Sequence, residues 1–341
     1  MNGGGEDGTR PAGRWKWPAV SLGVAVSGAC LWAAARGVNF AEVRAAFAGA
    51  DYRTLPAILF LLALFFWLKA VRWAVLLKPL EEPGGGRFTA SAVLPATLIG
   101  FAGNNVLPAH AGEFFRVAVV AKRWAVKPAA VLSTVVLERL FDVAAILPLF
   151  AAGLLAAPGA GAAYRAGLAV VAAGLAAAGA GCGLFLWRTD ACVRLAAALL
   201  NRLPLVPAAV RTGVPDLMTQ AAAGLAAVRR GRTLVFLLAL SVLHWGLMAG
   251  MIWLSLAAFG ARVPAAAGAV VNGVIAFGVL APSTPGFFGV VQACFRAGTL
   301  PFAVPPATAL SASVYYQLTQ WVPVTAAGAW CAWRLRGQAA G

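Results

Sequence analysis

Two stretches decide the architecture: PAHAGEFFR, from Pro108 to Arg116, and PSTPGFFG, from Pro282 to Gly289. Both carry Pro-x-x-x-Gly followed closely by Phe-Phe, start 174 positions apart, and interrupt otherwise apolar sequence. The helix expected after each copy repeats too. PAAVLSTVVLERLFD (Pro128 to Asp142) aligns with PATALSASVYYQLTQ (Pro306 to Gln320) at an offset of 178, with Pro, Ala, Leu, Ser, Val and Leu recurring in step. Paired hydrophobic segments broken by Pro and Gly, one in each half of a chain, point to a transport site built on internal repeats.

The rest of the chain fits that reading. Its 341 residues are 61% hydrophobic and 11% charged, with a mean hydropathy of +0.82. This excludes an ordinary soluble domain and a disordered chain. A spanning helix needs roughly 20 apolar residues, and six stretches qualify: about 18–35, 55–77, 129–157, 163–187, 234–259 and 306–333. Two further segments, about 88–121 and 264–300, are apolar but broken. Each has room for a re-entrant hairpin or two short helices, whose non-helical backbone must be buried in protein or line a watery cavity. The expectation is an all-α polytopic membrane protein with six full spans plus two Pro/Gly-broken segments. A hydrophilic segment, 1–17, precedes one transmembrane domain, 18–335, whose repeat-like halves cover 88–157 and 264–333; a tail, 336–341, follows.

Loop charge sets the expected orientation. With the N-terminus in the cytoplasm, 17 Lys/Arg residues face inward, including the seven arginines of the connector 188–232, while Arg36, Arg44, Arg53, Arg165, Arg262 and Arg296 face outward. Six crossings bring the C-terminus back inside, and the two broken segments then enter from opposite sides, which makes the repeat an inverted one. The net charge of +16 sits at membrane edges and suits anionic lipid headgroups, not nucleic acid. The five cysteines are scattered without a C-x-x-C, so no metal site and no cofactor is expected. The run 39–47, NFAEVRAAF, places Phe40, Val43 and Phe47 at helical spacing and reads as an interfacial helix.

Carboxylates are scarce and concentrated. Between Pro83 and Trp187 the acids are Glu113, Glu138 and Asp142, and none follows Asp216. Ionisable groups at membrane depth cost at least ~2.5 kcal/mol each and mark pathways or paired networks. Glu138 and Asp142 share a helix face and would repel unless protonated or paired; Arg139 is three residues from Asp142 and Arg116 three from Glu113, and the four are expected to join one network across the fold. One reading is structural ion pairing; the other has the arginines receiving a lipid phosphate, for which a planar guanidinium is suited. Asn104 and Asn105 precede the first break, where an amide caps freed backbone or meets a headgroup. Pro108 and Gly112 fit a break and turn, His110 lies inside it, and a half-helix starting near Gly112 points N–H groups at an anion; Pro282, Pro285, Gly286 and Gly289 repeat that arrangement. Lys69 and Arg72 read as snorkelling to the headgroups, with Arg72 able to reach the cavity. His244 reads as packed. No Walker loop, dinucleotide fingerprint, G-x-S-x-G or HExxH is present.

NNVLPAHAGEFFR (Asn104 to Arg116), ERLFD (Glu138 to Asp142) and APSTPGFFGVVQA (Ala281 to Ala293), in this order, resemble the transmembrane domain of lysylphosphatidylglycerol synthases and its stand-alone flippase-like relatives. The resemblance covers about residues 18–335. It implies a bacterial inner-membrane protein that moves a lipid or lipid-linked substrate between leaflets, with a lipid-modifying enzyme as a potential partner. The chain ends at Gly341, so the soluble aminoacyl-transferase domain of the synthases is not expected. Relative to the family pattern, His110 stands where a stronger base is common, Gln292 where an acid often follows, and Gln317 where arginine is frequent; Gln317 and Gln320 join the candidate site. The expected function is a lipid flippase. The alternatives are a membrane-embedded enzyme using Glu138 or Asp142 with His110, and a scaffold without transport.

Overall fold

In a computed structural model the chain is helical, with no strand among the described residues. These are 16–81, 87–107, 110–157, 188–202, 210–219, 231–281 and 283–340, with a few isolated positions between 166 and 207. The expected span at 163–187, much of the connector, Pro108 and Pro282 lie outside the described residues.

Helix α1 (Lys16–Ala35) is followed by the short α2 (Phe40–Ala48). Asn39 Oδ1 accepts the Ala41 N–H and starts α2, which turns 81° from the Gly23–Ala35 portion of α1. Then come α3 (Thr54–Leu77), α4 (Ala90–Val106), α5 (Gly112–Trp124) and α6 (Pro128–Leu155). After α7 (Thr189–Arg202) the chain continues with α8 (Gly231–Ala258), α9 (Ala266–Gly278), α10 (Val290–Thr299) and α11 (Pro306–Ala340). The predicted boundaries hold for α1, α3, α6 and α8, while α11 runs seven residues past 333, through Gly337, with no proline to stop it.

Among the described residues two helices are long and apolar enough to cross a membrane, Thr54–Leu80 with its short 3₁₀ extension and Gly231–Ala258, or three if the bent pair at 23–48 counts as one. The helix α6 has the length but carries Glu138, Arg139 and Asp142 within one turn and a half. Large apolar side chains stand exposed along the outside, among them Phe60, Phe114, Leu155, Val235 and Trp333, far more than a water-facing surface carries.

Each broken segment is a pair of short helices. In the first, α4 and α5 pack against each other through glycines: a Cβ on Gly103 would strike Gly112, and one on Gly112 would overlap the Gly100 carbonyl and Asn104. The second pairs α9 with α10, where Gly278 lies under Cys294 and Gly298 under Val271. The halves are interlocked, since α4 packs on α11 and α9 on α6. Bulk is exchanged between those contacts. Phe150 of α6 fills the space over Gly273, while Gly328, its counterpart at the 178 offset, makes room for Leu98 and Ala102. Backbone geometry repeats with the same offset: Ala125 (φ 54°) and Ala303 (φ 51°) both take the left-handed conformation just before a Pro-initiated long helix.

Two apolar clusters form the interior. One gathers Ile58, Phe65 and Phe66 of α3 with Met251, Val271, Phe295 and Tyr316; the other gathers Ala70, Trp73 and Leu77 of α3 with Val93, Val120, Val135 and Leu237. The seam between them contains Lys69 and Arg72 on α3, Glu138 and Asp142 on α6, and Ser241 and His244 on α8.

Candidate functional site

The seam is a layer of charge. Glu138 is 1% exposed and receives Lys69 Nζ at 2.5 Å, Arg72 Nη2 at 3.0 Å and Arg116 Nη1 at 2.8 Å. Arg72 also reaches Asp142 Oδ1 at 2.7 Å and donates to Ser241 Oγ at 2.7 Å. Asp142 accepts from Trp245 Nε1 at 3.0 Å, lies 3.4 Å from His244 Nε2 and 3.5 Å from Arg139 Nη1; Arg139 in turn is paired with Glu113. The four basic residues that fall inside apolar segments, Lys69, Arg72, Arg116 and Arg139, thus share one network with all three acids of that region. Arg72 lies between Glu138 and Asp142 and relieves the repulsion their i,i+4 spacing creates.

Two expectations fall here. Lys69 and Arg72 are 3% and 0% exposed, so they do not snorkel: two carboxylates buried on the facing helix leave them a better partner than a distant headgroup. Arg116 pairs with Glu138 and not with Glu113 three residues earlier, because its side chain runs inward over the Trp73 ring at 4.8 Å while Glu113 faces Arg139. Of the fully buried charges, Lys69, Arg72 and Arg116 stand against Glu138 and Asp142, which leaves one positive charge in excess.

Beside this layer is a cavity of about 220 Å³ bordered by both broken segments. Its polar lining is Asn104, Asn105 and His110 from the first half, Arg139 from α6, and Gln317 and Gln320 from α11; Trp245, Trp321, Phe101 and Phe287 supply aromatic walls. Arg139 connects the two features, paired with Glu113 yet 44% exposed. Arg72 does not line the cavity; it acts on it through Asp142 and Arg139. His110 (φ 55°) packs tilted against Phe287 at 5.2 Å between ring centres, and none of the described hydrogen bonds joins it to Glu138 or Asp142.

At the half-helix ends part of the backbone donor set is used locally. At the start of α5 the N–H groups of Glu113, Phe114 and Phe115 donate to the carbonyls of His110 and Ala111. At the start of α10 the Gly289 N–H donates to Gln292 Oε1 at 2.6 Å. At α5 these three donors are taken up within the turn, while at α10 the Gln292 side chain takes up the donor of Gly289. Gly286 (φ 73°) and Gly289 (φ 88°) take positive φ in the second break, Gly286 inside the one-turn 3₁₀ helix that Pro285 opens. That break is clasped by α1: Thr284 N–H donates to Ser27 Oγ at 2.8 Å, and a Cβ on Gly289 would meet the Ser27 carbonyl.

Asn105 ties the halves together rather than capping, donating to Thr325 Oγ1 at 3.0 Å while its carbonyl accepts from Trp321 Nε1 at 3.2 Å. Asn104 is buried with Oδ1 unpartnered. In the second half Gln292 Nε2 donates to Gln317 Oε1 at 2.5 Å, and Gln317 Nε2 donates to the Gly286 carbonyl at 2.6 Å. At the repeat offset Gln317 corresponds to Arg139, Gln320 to Asp142, and Gln292 lies within one position of Glu113. The amide pair therefore stands where the first half has its Glu113–Arg139 ion pair. Trp245 and Trp321 escaped the sequence reading, as neither lies in a repeated motif; the neighbouring His244 and Gln320 were the signals available.

Residues 20–328 match the family described as the lysylphosphatidylglycerol synthase TM region. No curated protein matches the chain.

Proposed function

The chain belongs to the lysylphosphatidylglycerol synthase TM region family, and from that premise we propose that it moves a phospholipid or lipid-linked substrate with an anionic or phosphate-bearing headgroup between leaflets. The observation that carries this reading is Arg139: a half-exposed guanidinium in a cavity between both broken segments, backed by a buried layer with a positive charge in excess. A fork of N–H donors suits two phosphate oxygens, and low-dielectric walls strengthen the attraction. In this mechanism an arriving phosphate takes Arg139 from Glu113, and the freed pair lets the cavity change the side to which it opens.

The full arrangement belongs to the same proposal: six crossings with α1, α3, α6, α8, α11 and the segment 163–187, both termini cytoplasmic, in a bacterial inner membrane. The broken segments act as re-entrant hairpins of an inverted repeat. The crossed packing of α4 on α11 and α9 on α6, and the left-handed Ala125 and Ala303, support that symmetry. No chemical change to the lipid is part of the mechanism, and nucleic acid is no partner; a lipid-modifying enzyme would supply the substrate.

Transbilayer movement of headgroup-labelled anionic and zwitterionic lipids in proteoliposomes tests this. Movement is expected with the native chain, and its loss with Arg139→Ala and Glu113→Gln. Unchanged movement in folded variants would refute the role given to the pair.

A further inference from the structure

The outer face of α5 is graded along its length. Phe114 and Phe115 stand exposed near its start, Lys122 and Arg123 near its end. From Phe115 to Arg123 is eight residues, about 12 Å of helix. This face borders a second cleft, about 550 Å³, lined by Ile99 of α4, Phe115, Val119, Lys122 and Arg123 of α5, and Ala332, Leu335 and Arg336 of α11. It shares no lining residue with the central cavity.

The cleft has an apolar floor and three cations at one end. Among the described residues no carboxylate lies within 4.0 Å of Lys122, Arg123 or Arg336, and no acid is in the lining. Arg123 is held over the Trp124 ring at 5.1 Å. One turn earlier on α11, Trp330 and Trp333 are 52% and 70% exposed, with Arg334 stacked on Trp330 at 4.3 Å. Exposed tryptophans beside arginines mark the headgroup level. The cationic end therefore sits at headgroup depth and the phenylalanine end within the acyl region.

We propose that this cleft binds an anionic phospholipid, its phosphate between Lys122, Arg123 and Arg336 and an acyl chain along Ile99, Phe115, Val119 and Leu335. The three unpaired cations select negative headgroups over zwitterionic ones. Because α4 and α11 also line the central cavity and α5 carries Glu113, the partner of Arg139, an occupant here bears on the same hairpin, yet binding does not depend on transport.

The test is native mass spectrometry of the purified full chain titrated with phosphatidylglycerol and, separately, phosphatidylcholine of the same chains. Each cation at a membrane surface contributes roughly a factor of five, so K122Q/R123Q/R336Q is expected to weaken phosphatidylglycerol binding on the order of 100-fold. The charge-matched R44Q/R53Q/R194Q is expected to bind as the native chain does. Val119→Trp fills the floor at unchanged charge and is expected to abolish binding. Thermal midpoints of the variants establish folding, and if the tryptophan variant does not fold, the neutralised triple decides. Equal losses in both triples, native affinity in K122Q/R123Q/R336Q or in folded Val119→Trp, or equal affinity for phosphatidylcholine would each overturn the site, as would a dimer that shields the cleft.

Discussion

Substituting Glu138 by Gln removes one charge and leaves the shape of the side chain nearly unchanged. Its carboxylate holds Lys69, Arg72 and Arg116 within 3.0 Å, all at 3% exposure or less. The buried balance then changes from three cations against two carboxylates to three against one. Arg72 keeps Asp142 at 2.7 Å, but Lys69 and Arg116 have no other carboxylate within 4.0 Å among the described residues. Removing one partner of a buried pair costs about 3–5 kcal/mol, and two orphaned cations place this variant toward the upper end. Unfolding of the detergent-solubilised protein by SDS, followed through tryptophan fluorescence, reads the loss directly. Adding Lys69→Met to Glu138→Gln removes one orphaned charge at similar volume and should return about half of the loss. A Glu138→Gln cost under about 1 kcal/mol, or a Lys69→Met loss that adds to it, would refute the charge layer as the element that joins α3 to α6.

Other outcomes follow from the same geometry. Gln317→Arg alone places an unpaired charge beside the Gly286 carbonyl and should cost about 2–4 kcal/mol in the same unfolding assay, whereas Gln292→Glu/Gln317→Arg rebuilds the first half's ion pair and should recover most of it. Gly112→Ala drives a methyl into the Gly100 carbonyl and Asn104; a loss of about 1–3 kcal/mol is expected, with faster hydrogen exchange in α4 and α5. Arg296 donates to the carbonyls of Ala33, Ala34 and Arg36 at the end of α1, so Arg296→Ala should lower the thermal midpoint through about 1 kcal/mol of lost hydrogen bonding and speed proteolysis near Gly37.

The sequence by itself determined a good deal. Hydropathy placed α1, α3, α6, α8 and the start of α11, because length and polarity suffice to select a helix where no water competes for its backbone. Proline and glycine marked both breaks for a local reason as well: φ restrictions and close backbone approach belong to single residues. Scarcity singled out Glu113, Glu138 and Asp142, and the family resemblance brought in Gln317 and Gln320. Tertiary structure decided the pairings. Neither the turn of Lys69 and Arg72 inward, nor Arg116 passing over Glu113 for Glu138, follows from spacing, since each depends on which helix face α6 presents to α3 and α5. The same holds for Trp245 and Trp321, and for the Gln292 side chain that takes up the Gly289 N–H. Local chemistry is written along the chain, whereas the partner of a buried charge is chosen by helices 22 to 169 positions away, and only their packing sets the distance on which the electrostatic energy depends.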